Sequence, residues 1–336
     1  MLNLVTGATE PVGSHLVDAL VLRGERVRAL VPPSRSAHRL RELGADTRVG
    51  NLMDSATLNS AAEGADRVFH CAGLISDWGL PEDFRQANVH SLRRVLGAAT
   101  RAKASRFVLL STTDIYGYPG RPVSEAERPS PRGFPYADSR IEAESLIWNH
   151  YRRVGLPVCV IRPASVYGPR CRLLVVNLIE TLRKRGMVLI DEGNHLAGLA
   201  YVGNVVDALL LAAESEAGIG RAYNVCDASD VPWRDYIHAL ADLAEVPRPT
   251  RSYSHSTAYA LASLWEGYYR LLGRTRRPPL TRMMVELMGT DQAFPIDRAI
   301  NDLGFRPRVR FEEGIGHVRD WLRREGMVEM TWGEGQ

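Results

Sequence analysis

The first half of this chain alternates short apolar segments with segments of helical pattern, and this alternation restricts the possible folds more than any other feature. The strand-like segments are Leu2–Val5, Val27–Val31, Asp66–Ala72, Phe107–Ser111 and Val158–Arg162. Helical patterns lie between them, and the longest runs from about Pro81 to Ala104. Strands that alternate with helices form βαβ units, whose strands lie parallel in one sheet. We therefore predict an α/β fold with a doubly wound, Rossmann-like parallel sheet.

Composition narrows the class of protein further. The 336 residues are 45% apolar and carry a formal net charge of +3, which supports a folded core and gives no reason to expect a nucleic-acid partner. The four cysteines form no CxxC pair, so we expect buried free thiols and no metal site. The chain shows neither a signal-peptide pattern nor an apolar run of about 18 residues, and a cytoplasmic location is expected.

A glycine-containing turn follows the first predicted strand. It reads Thr6-Gly7-Ala8-Thr9-Glu10-Pro11-Val12-Gly13 and leads into a predicted helix. The pyrophosphate of a dinucleotide binds at such a turn, because the free N–H groups of the helix N-terminus face the anion. A turn with two glycines is also compatible with an ordinary connection between a strand and a helix. Its interpretation therefore depends on the other motifs.

Three further motifs follow in order along the chain. They are Ser111-Thr112-Thr113-Asp114-Ile115-Tyr116-Gly117, Tyr136-Ala137-Asp138-Ser139-Arg140 and Ile161-Arg162-Pro163-Ala164-Ser165-Val166-Tyr167-Gly168-Pro169. With the turn, they resemble the extended short-chain dehydrogenase/reductase family, which includes NAD-dependent epimerases and dehydratases. Four later segments resemble its branch of 3β-hydroxysteroid and sterol-4-carboxylate dehydrogenases: Ser76–Gly79, Ala222–Val225, Pro278–Arg282 and Leu303–Pro307. The resemblance covers nearly the whole chain.

The resemblance assigns catalytic roles to three residues. It implies that Thr112 hydrogen-bonds the substrate oxygen, that Tyr136 exchanges its phenolic proton, and that the basic residue at position 140 holds the nicotinamide ribose and lowers the tyrosine pKa. Positions 136 and 140 lie one helical turn apart and share a face of the predicted helix. A free tyrosine titrates near about 10, so acid–base work at neutral pH requires such a cation. Outside this set of motifs, Tyr136 would be interpreted as a packed aromatic residue.

The resemblance also implies a binding site for a nicotinamide dinucleotide. The expected contacts are Gly7, Glu10, Pro11, Val12, Gly13, Arg35, Asn51, Leu52, Ala72, Gly73, Tyr136, Arg140, Pro163 and Val166. The second strand ends at Pro32 and Pro33 without an acidic residue for a ribose 2′-hydroxyl, whereas Arg35 can meet a 2′-phosphate. NADP is therefore slightly favoured over NAD as the cofactor, and a protein that binds no nucleotide is the alternative.

Several positions depart from the family pattern at this site. Glu10 replaces the middle glycine of the turn and adds negative charge near the pyrophosphate, and Pro11 has no N–H to donate, although it is a favourable first helical residue. Loss of one charge-assisted hydrogen bond costs about 1.5–3 kcal/mol. Arg140 replaces the family lysine, and it keeps the positive charge but cannot pass on a proton. Asn51 replaces an aspartate and can still form hydrogen bonds, while Phe294-Pro295-Ile296 is expected to be structural.

After Pro169 the alternation gives way to a mainly helical pattern. We predict a nucleotide-binding domain over residues 1–169, to which a segment of about 196–226 returns, and a smaller, mostly helical substrate domain formed by residues 170–195 and 227–336. The oligomeric state follows from the resemblance alone. Family members commonly pair through helices that correspond here to Pro81–Ala104 and Tyr136–Arg153, so a homodimer is expected.

One C-terminal segment, residues 258–277, is unusually rich in large apolar side chains. These are Tyr259, Leu261, Leu264, Trp265, Tyr268, Leu271 and Leu272, and they are accompanied by Arg270, Arg274, Arg276 and Arg277. The favoured interpretation is an amphipathic helix that covers the substrate site. The alternative is a peripheral helix that touches a membrane or admits an apolar substrate.

These features support three hypotheses about function. The first is an NAD(P)-dependent oxidoreductase that interconverts a secondary alcohol and a ketone on a bulky apolar substrate, such as a sterol, a polyketide or a lipid. The second keeps the fold but assumes weakened or lost nucleotide binding, with a cofactor-free elimination, isomerisation or cyclisation in the same pocket. The third is a non-catalytic binding protein. The motif set favours the first hypothesis, and no residue of the C-terminal half specifies the substrate.

Overall fold

The computed structural model describes residues 1–328. Over these residues the strands are β1 (Leu2–Thr6), β2 (Arg26–Val31), β3 (Asp46–Val49), β4 (Arg67–His70), β5 (Arg106–Leu110), β6 (Val158–Pro163), β7 (Ser165–Tyr167), β8 (Leu189–Ile190), β9 (Leu199–Tyr201), β10 (Arg221–Val225) and β11 (Ser252–Tyr253). Seven of them form one parallel sheet in the order β10-β6-β5-β4-β1-β2-β3. Two short parallel pairs, β7 with β9 and β8 with β11, lie outside it.

The helices of residues 1–328 flank this sheet and form most of the C-terminal part. They are α1 (Pro11–Leu22), α2 (His38–Glu42), α3 (Ser55–Ala62), α4 (Pro81–Arg85), α5 (Ser91–Arg101), α6 (Pro135–Val154), α7 (Asn177–Arg183), α8 (Val202–Glu214), α9 (Trp233–Leu243), α10 (His255–Leu271), α11 (Arg282–Met288), α12 (Asp297–Leu303) and α13 (Phe311–Arg324). None of these helices is long and apolar enough to cross a membrane.

The predicted doubly wound parallel sheet is confirmed. One apolar core lies between the sheet and helices α1 and α8, and a second lies between the opposite face and helices α3, α5 and α6. Because both faces are covered, strands β1, β5 and β6 are buried along their whole length, which explains their continuous apolar sequences. Strand β1 has β2 on one side and β4 on the other, so the winding reverses there. A crevice forms at such a reversal, outside the carboxyl ends of the strands.

Two elements differ from the sequence-based description. Strand β3 was not expected, because its residues Asp46-Thr-Arg-Val are mostly polar and the strand lies exposed at the edge of the sheet. The long helix expected over Pro81–Ala104 contains a π-helical turn at Gln86–His90 between α4 and α5. Asn88 lies in this turn, and its buried side chain bonds the backbone of Leu74 and the hydroxyl of Ser139. Through the hydrogen bonds of Asn88, the π-helical turn thus connects this helix to the rim of the crevice.

The later segments divide between the sheet and the C-terminal part. Strand β10 pairs with β6 at one edge of the main sheet, and α8 packs beneath β5 and β6. Helices α9 to α13 lie outside the sheet. The four cysteines, Cys71, Cys159, Cys171 and Cys226, are buried and free, as the sequence predicted.

A buried polar network lies beneath the carboxyl ends of β5 and β6. The Arg162 guanidinium contacts the Glu144 carboxylate at 2.6 Å, and the Ser111 hydroxyl donates to the same carboxylate at 2.6 Å. Arg162 also donates to the Tyr116 hydroxyl at 2.7 Å, and that hydroxyl donates to Asn224. Because Glu144 belongs to α6 and Arg162 to β6, the network fixes helix α6 against the strand ends that carry the residues described next.

Candidate active site

Two adjoining clefts open at the crevice between the strand ends. The main cleft lies over the carboxyl ends of β5 and β6 and encloses about 1080 Å³ when the space open to solvent is included. The side cleft lies between the turn after β1 and the ends of β2 and β4 and encloses about 1000 Å³ on the same basis. Glu10 lines both clefts. Together they provide an elongated space at the place where an α/β sheet binds a dinucleotide.

The structure brings most of the predicted site residues into these clefts. The main cleft is lined by Glu10, Pro11, Val12, Thr112, Tyr136, Arg140, Pro163 and Val166. The side cleft is lined by Gly7, Glu10, Asn51, Leu52, Ala72 and Gly73. Gly13 and Arg35 line neither cleft. Gly13 packs helix α1 onto the turn, because a Cβ at this position would lie 2.1 Å from the Gly7 carbonyl oxygen.

The turn after β1 has the shape of an anion cradle. Gly7 adopts a left-handed conformation (φ +76°), and a Cβ there would lie 2.4 Å from the backbone nitrogen of Ala72. Helix α1 begins at Pro11, so its N-terminus points at the junction of the clefts. Thr9 lines the side cleft, and its buried hydroxyl has no hydrogen-bond partner. An unsatisfied buried hydroxyl beside a helix N-terminus fits a phosphate group.

Glu10 is turned towards Arg35, a predicted cofactor contact that lines neither cleft. Its carboxylate lies 3.8 Å from the Arg35 guanidinium, and both side chains are partly exposed. An exposed pair of this kind is worth at most about 1 kcal/mol. The ion pair reduces the repulsion that the glutamate exerts on a bound phosphate, and it also occupies the cation that was expected to meet a 2′-phosphate.

Tyr136 and Arg140 lie on the inner face of helix α6, at the bottom of the main cleft. Both are buried, and the guanidinium carbon of Arg140 lies 5.5 Å from the centre of the Tyr136 ring. Arg140 donates to the carbonyl of Leu110 at 3.3 Å, while its buried Nε has no partner. The guanidinium fits here because residue 73 is a glycine. A Cβ at that position would lie 2.4 Å from Arg140 Nη2. The unsatisfied Nε is available to a ligand in the cleft.

The proton of Tyr136 is held by opposing effects. Burial raises the pKa of the phenol above the usual value for tyrosine, and the nearby Asp114 raises it too. The Arg140 charge and hydrogen bonds with Thr112 and Arg140 lower the pKa and offset part of this effect. The phenol therefore carries its proton at neutral pH and can donate it to a substrate oxygen.

Asp114, which the sequence motifs did not single out, organises the hydroxyl groups around Tyr136. The Thr112 hydroxyl donates to Asp114 Oδ2 at 2.8 Å, and the Tyr118 hydroxyl donates to Oδ1 at 2.8 Å. Burial raises the pKa of Asp114, although these bonds and the Arg140 charge act in the opposite direction. An acidic residue two positions after the motif threonine was the available signal, but only the folded chain buries it in the cleft.

The opposite wall of the main cleft is apolar and comes from the C-terminal part of the chain. It is formed by Leu173, Leu174, Met283, Met284 and Leu287. Asp77, at the mouth, accepts hydrogen bonds from Arg277 and from the Thr281 hydroxyl at 2.6 Å, which holds this wall against the loop after β4. The cleft thus combines one polar, proton-carrying wall with one hydrophobic wall.

Comparison with known proteins agrees with this arrangement. A sequence model of the NAD dependent epimerase/dehydratase family matches residues 3–226. A ketoreductase from Stigmatella aurantiaca, named for a farnesyl-bearing dihydroquinoline oxide, is 31% identical over 95% of this chain and 96% of its own length. A 2-alkyl-3-oxoalkanoate reductase from Stenotrophomonas maltophilia (strain K279a) is 29% identical, over 94% of this chain and 98% of its own. A 3β-hydroxysteroid dehydrogenase/Δ5→4-isomerase from Mycobacterium tuberculosis (strain CDC 1551 / Oshkosh) is 26% identical, over 93% and 88%.

A solved structure shows the same fold with a nucleotide bound. MoeE5, in complex with UDP-glucuronic acid and NAD, superposes with a TM-score of 0.76. The two chains are 26% identical, and the match covers 97% of this chain and 100% of MoeE5.

Proposed function

Because this chain belongs to the NAD-dependent epimerase/dehydratase family of extended short-chain dehydrogenases/reductases, we propose that it is an NAD(P)-dependent oxidoreductase that interconverts a secondary alcohol and a ketone on a bulky apolar substrate. One observation carries the proposal. The Thr112 hydroxyl, the Tyr136 phenol and the Arg140 guanidinium line the same cleft as five large aliphatic and methionine side chains from the C-terminal part.

The residues of the two clefts fit a nicotinamide dinucleotide. The N-terminus of α1, the unsatisfied Thr9 hydroxyl and the Gly7 turn are suited to the pyrophosphate, and the side cleft is suited to the adenosine. The unsatisfied Nε of Arg140 is suited to a ribose hydroxyl. When bound, a nicotinamide supplies or accepts the hydride. The chain itself supplies the proton and the environment of the substrate oxygen.

Tyr136 is the proposed acid–base residue. Its burial keeps the proton on the phenol at neutral pH, which suits protonation of a ketone oxygen as that oxygen gains negative charge. Arg140 stabilises the phenolate that remains, because a guanidinium stays charged and lies against the ring. In this role an arginine can replace the lysine of the family pattern, since no proton has to leave it.

Thr112 and Asp114 act together on the substrate oxygen: the Thr112 oxygen can accept from an alcohol, and it can donate to a ketone only when its proton turns away from Asp114. The Thr112 hydroxyl proton is directed at the Asp114 carboxyl group, and its oxygen already accepts a hydrogen bond from the Asp114 backbone N–H at 3.2 Å. Asp114 therefore decides which way the Thr112 hydroxyl points, and Tyr118 holds the other oxygen of the carboxyl group. We assign Asp114 as a positioning residue for the reaction.

The substrate class is inferred from the apolar wall and from the relatives. The relatives' names describe a farnesyl-bearing compound, 2-alkyl-3-oxoalkanoates and 3β-hydroxysteroids, and each of these compounds carries a hydrocarbon part. The choice between NAD and NADP rests on Arg35, which favours NADP only if a 2′-phosphate displaces Glu10 from it.

Titration of the purified protein with NADPH and NADH, followed by cofactor fluorescence, tests the nucleotide site. We expect saturable binding of at least one of them. Glu10→Gly removes both the charge and the Cβ and is expected to tighten binding about tenfold, equivalent to about 1.4 kcal/mol. Glu10→Gln retains the size of the side chain and shows how much of that gain comes from charge. The absence of saturable binding at millimolar nucleotide would contradict the proposal.

Turnover is then measured as oxidation of the preferred reduced nucleotide with a panel of ketones. The panel contains long-chain 2-alkyl-3-oxo acids, 3-oxo steroids and, as a small polar control, acetoin. Tyr136→Phe is expected to lower the rate about 100-fold or more. Its effect on nucleotide affinity is expected to be much smaller, because the variant keeps the ring and loses only one of the expected nucleotide contacts. Conversion of an apolar substrate without any nucleotide would support the cofactor-free alternative.

A further inference from the structure

The C-terminal half of helix α10 exposes several large apolar side chains, although Tyr259, Leu261 and Tyr269 are half-buried. The buried residues are Ala258, Ala262 and Glu266, spaced four apart. The α10 face, which we define as Leu264, Trp265, Tyr268, Leu271 and Leu272, is exposed by 71, 41, 46, 85 and 49%, respectively. At the helical repeat these five residues fall within a stripe of about 120°. A helix that merely covered the core would place this stripe inwards.

The surroundings of the α10 face are basic, although Arg277 is paired with the buried Asp77. Residues 255–282 contain five arginines and one acidic residue, Glu266. Glu266 is buried and is neutralised by Arg282 at 2.9 Å and by Arg270. The Arg274 guanidinium lies 5.3 Å from the Tyr268 ring centre, and exposed Arg276 makes no ion pair with any residue described by the structure. An apolar stripe with arginines at its border is complementary to the headgroups and acyl chains of an anionic bilayer.

The α10 face is also linked to the mouth of the main cleft. Tyr269 contacts Trp78 edge to face, with ring centres 6.3 Å apart, and Arg270 lies over the same indole ring. Trp78 belongs to the loop that carries Ile75, which lines the cleft and is 47% exposed. On the inner side, α10 packs against α11, whose Met283 and Met284 form part of the apolar wall. Half-buried Tyr269 and Trp78 and exposed Ile75 therefore connect the α10 face to the cleft.

We propose that the α10 face docks onto the surface of an anionic lipid bilayer, with its five apolar side chains at the acyl boundary and Arg274 and Arg276 at the lipid phosphates. The charge around the face selects this partner over a second copy of the chain, because two such faces brought together would place their arginines against each other. Docking in this orientation brings the mouth of the cleft to the membrane, where a bulky apolar substrate is dissolved. The contact does not depend on the proposed reaction, and its test needs neither nucleotide nor turnover.

Flotation with vesicles tests the proposal on the full chain. We expect binding to vesicles of equimolar phosphatidylcholine and phosphatidylglycerol at low ionic strength, and little binding to phosphatidylcholine alone. Leu264→Ser combined with Leu271→Ser is expected to reduce partitioning about tenfold or more, because two exposed apolar side chains are lost from the contact. Arg274→Ala combined with Arg276→Ala is expected to cause a similar loss, confined to the anionic vesicles. The matched control is Leu22→Ser, at the end of α1, which changes an equally exposed leucine (87%) and is expected to bind as the unmodified chain does.

A second readout distinguishes insertion from simple charge attraction. The tryptophan fluorescence of Trp265 is obtained by subtracting the spectrum of Trp265→Phe from that of the unmodified chain. On vesicle binding this difference spectrum is expected to shift to shorter wavelength, because Trp265 leaves water. The proposal is overturned if the anionic vesicles retain none of the protein, or if Leu22→Ser lowers binding as much as the α10 variants do. It is also overturned if the α10 variants dissociate a dimer while the unmodified chain ignores vesicles, because the face would then bind a second copy.

Discussion

At the scale of single residues, burial and charge act on Tyr136 in opposite directions. Removal from water disfavours the phenolate, whereas the Arg140 guanidinium, 5.5 Å from the ring centre, favours it. The net effect is a raised pKa, so burial prevails. Thr112, Asp114 and Arg140 are the polar groups that act on this phenol, and Tyr118 acts through Asp114. The direction of this pKa shift determines whether neutral pH favours ketone reduction or alcohol oxidation.

This balance predicts opposite pH dependences for the two directions of the reaction. Ketone reduction needs the protonated phenol, so its kcat/KM is expected to stay level through neutral pH and to fall as pH rises through the raised pKa. Alcohol oxidation needs the phenolate and is expected to increase over the same alkaline range. Arg140→Leu removes the cation that lowers the pKa, so both transitions are expected to move to higher pH. Initial rates at saturating nucleotide from pH 6 to about pH 11 follow the onset of both rate changes, and in Arg140→Leu this onset is expected at higher pH.

The control for that experiment is Arg140→Lys. Lysine restores a positive charge at the same helical position, so its pH profile is expected to resemble that of the unmodified chain. If Arg140→Leu leaves both transitions in place, the guanidinium does not set the charge on Tyr136, and its role is limited to packing against Gly73.

At the scale of elements, a buried network determines where helix α6 stands. Glu144 of α6 and Arg162 of β6 are both buried, and their contact is supported by Ser111 and Tyr116. Such a pair adds little net stability relative to apolar residues, but it is costly to break, because the remaining charge is left without a partner away from water. The network therefore specifies the position of α6, and with it the position of Tyr136 and Arg140.

Glu144→Gln is expected to lower the free energy of unfolding by about 3–5 kcal/mol, because it leaves the Arg162 charge buried without a counter-ion. Urea denaturation followed by circular dichroism measures this change. Glu142→Gln is the control on the same helix. Glu142 forms an exposed ion pair with Arg85, so its loss is expected to cost less than about 1 kcal/mol. If the two variants lose the same free energy of unfolding, the buried Glu144–Arg162 pair contributes no more to stability than the exposed pair does.

At the scale of the whole molecule, the chain presents two outer surfaces with different chemistry. The α10 face is apolar with a basic border. The outer side of α4, α5 and α6 is mostly polar, with the Arg85–Glu142 ion pair, although Leu146 and Trp148 are only partly buried. The resemblance of the chain to its family suggests that the second surface pairs with another copy, which leaves the first available to a membrane.

Sedimentation equilibrium is expected to show a homodimer that Trp148→Glu converts to monomers, because a charge would replace a large apolar group in the paired helices. The control is Trp265→Glu, which introduces the same charge on the α10 face and is expected to leave the dimer intact. A monomeric unmodified chain, or a dimer lost only in Trp265→Glu, would contradict this assignment.

The motifs predicted much of the candidate site, because they lie at strand ends that the parallel sheet brings to one edge. Thr112 follows β5, Pro163 is the last residue of β6, Val166 lies in the short strand β7 directly after it, and Gly7 follows β1. Arg35 lies on an exposed loop after β2, where local sequence does not determine the direction of a long side chain. Asp114 and Thr9 were missed because their significance lies in burial, and burial depends on what the rest of the chain places over them.

By itself the sequence determined the parallel sheet and the order of its motifs, since apolar strand segments and helical periodicity are local properties that any compact arrangement must satisfy. It also determined that residues 136 and 140 share a helix face. Only the tertiary structure decided that α10 turns its apolar stripe outwards, that the space left by Gly73 receives Arg140, and that Asp114 holds the Thr112 hydroxyl. These outcomes arise from contacts between segments distant in sequence or from burial by them, and their energies depend on neighbours that no local pattern specifies.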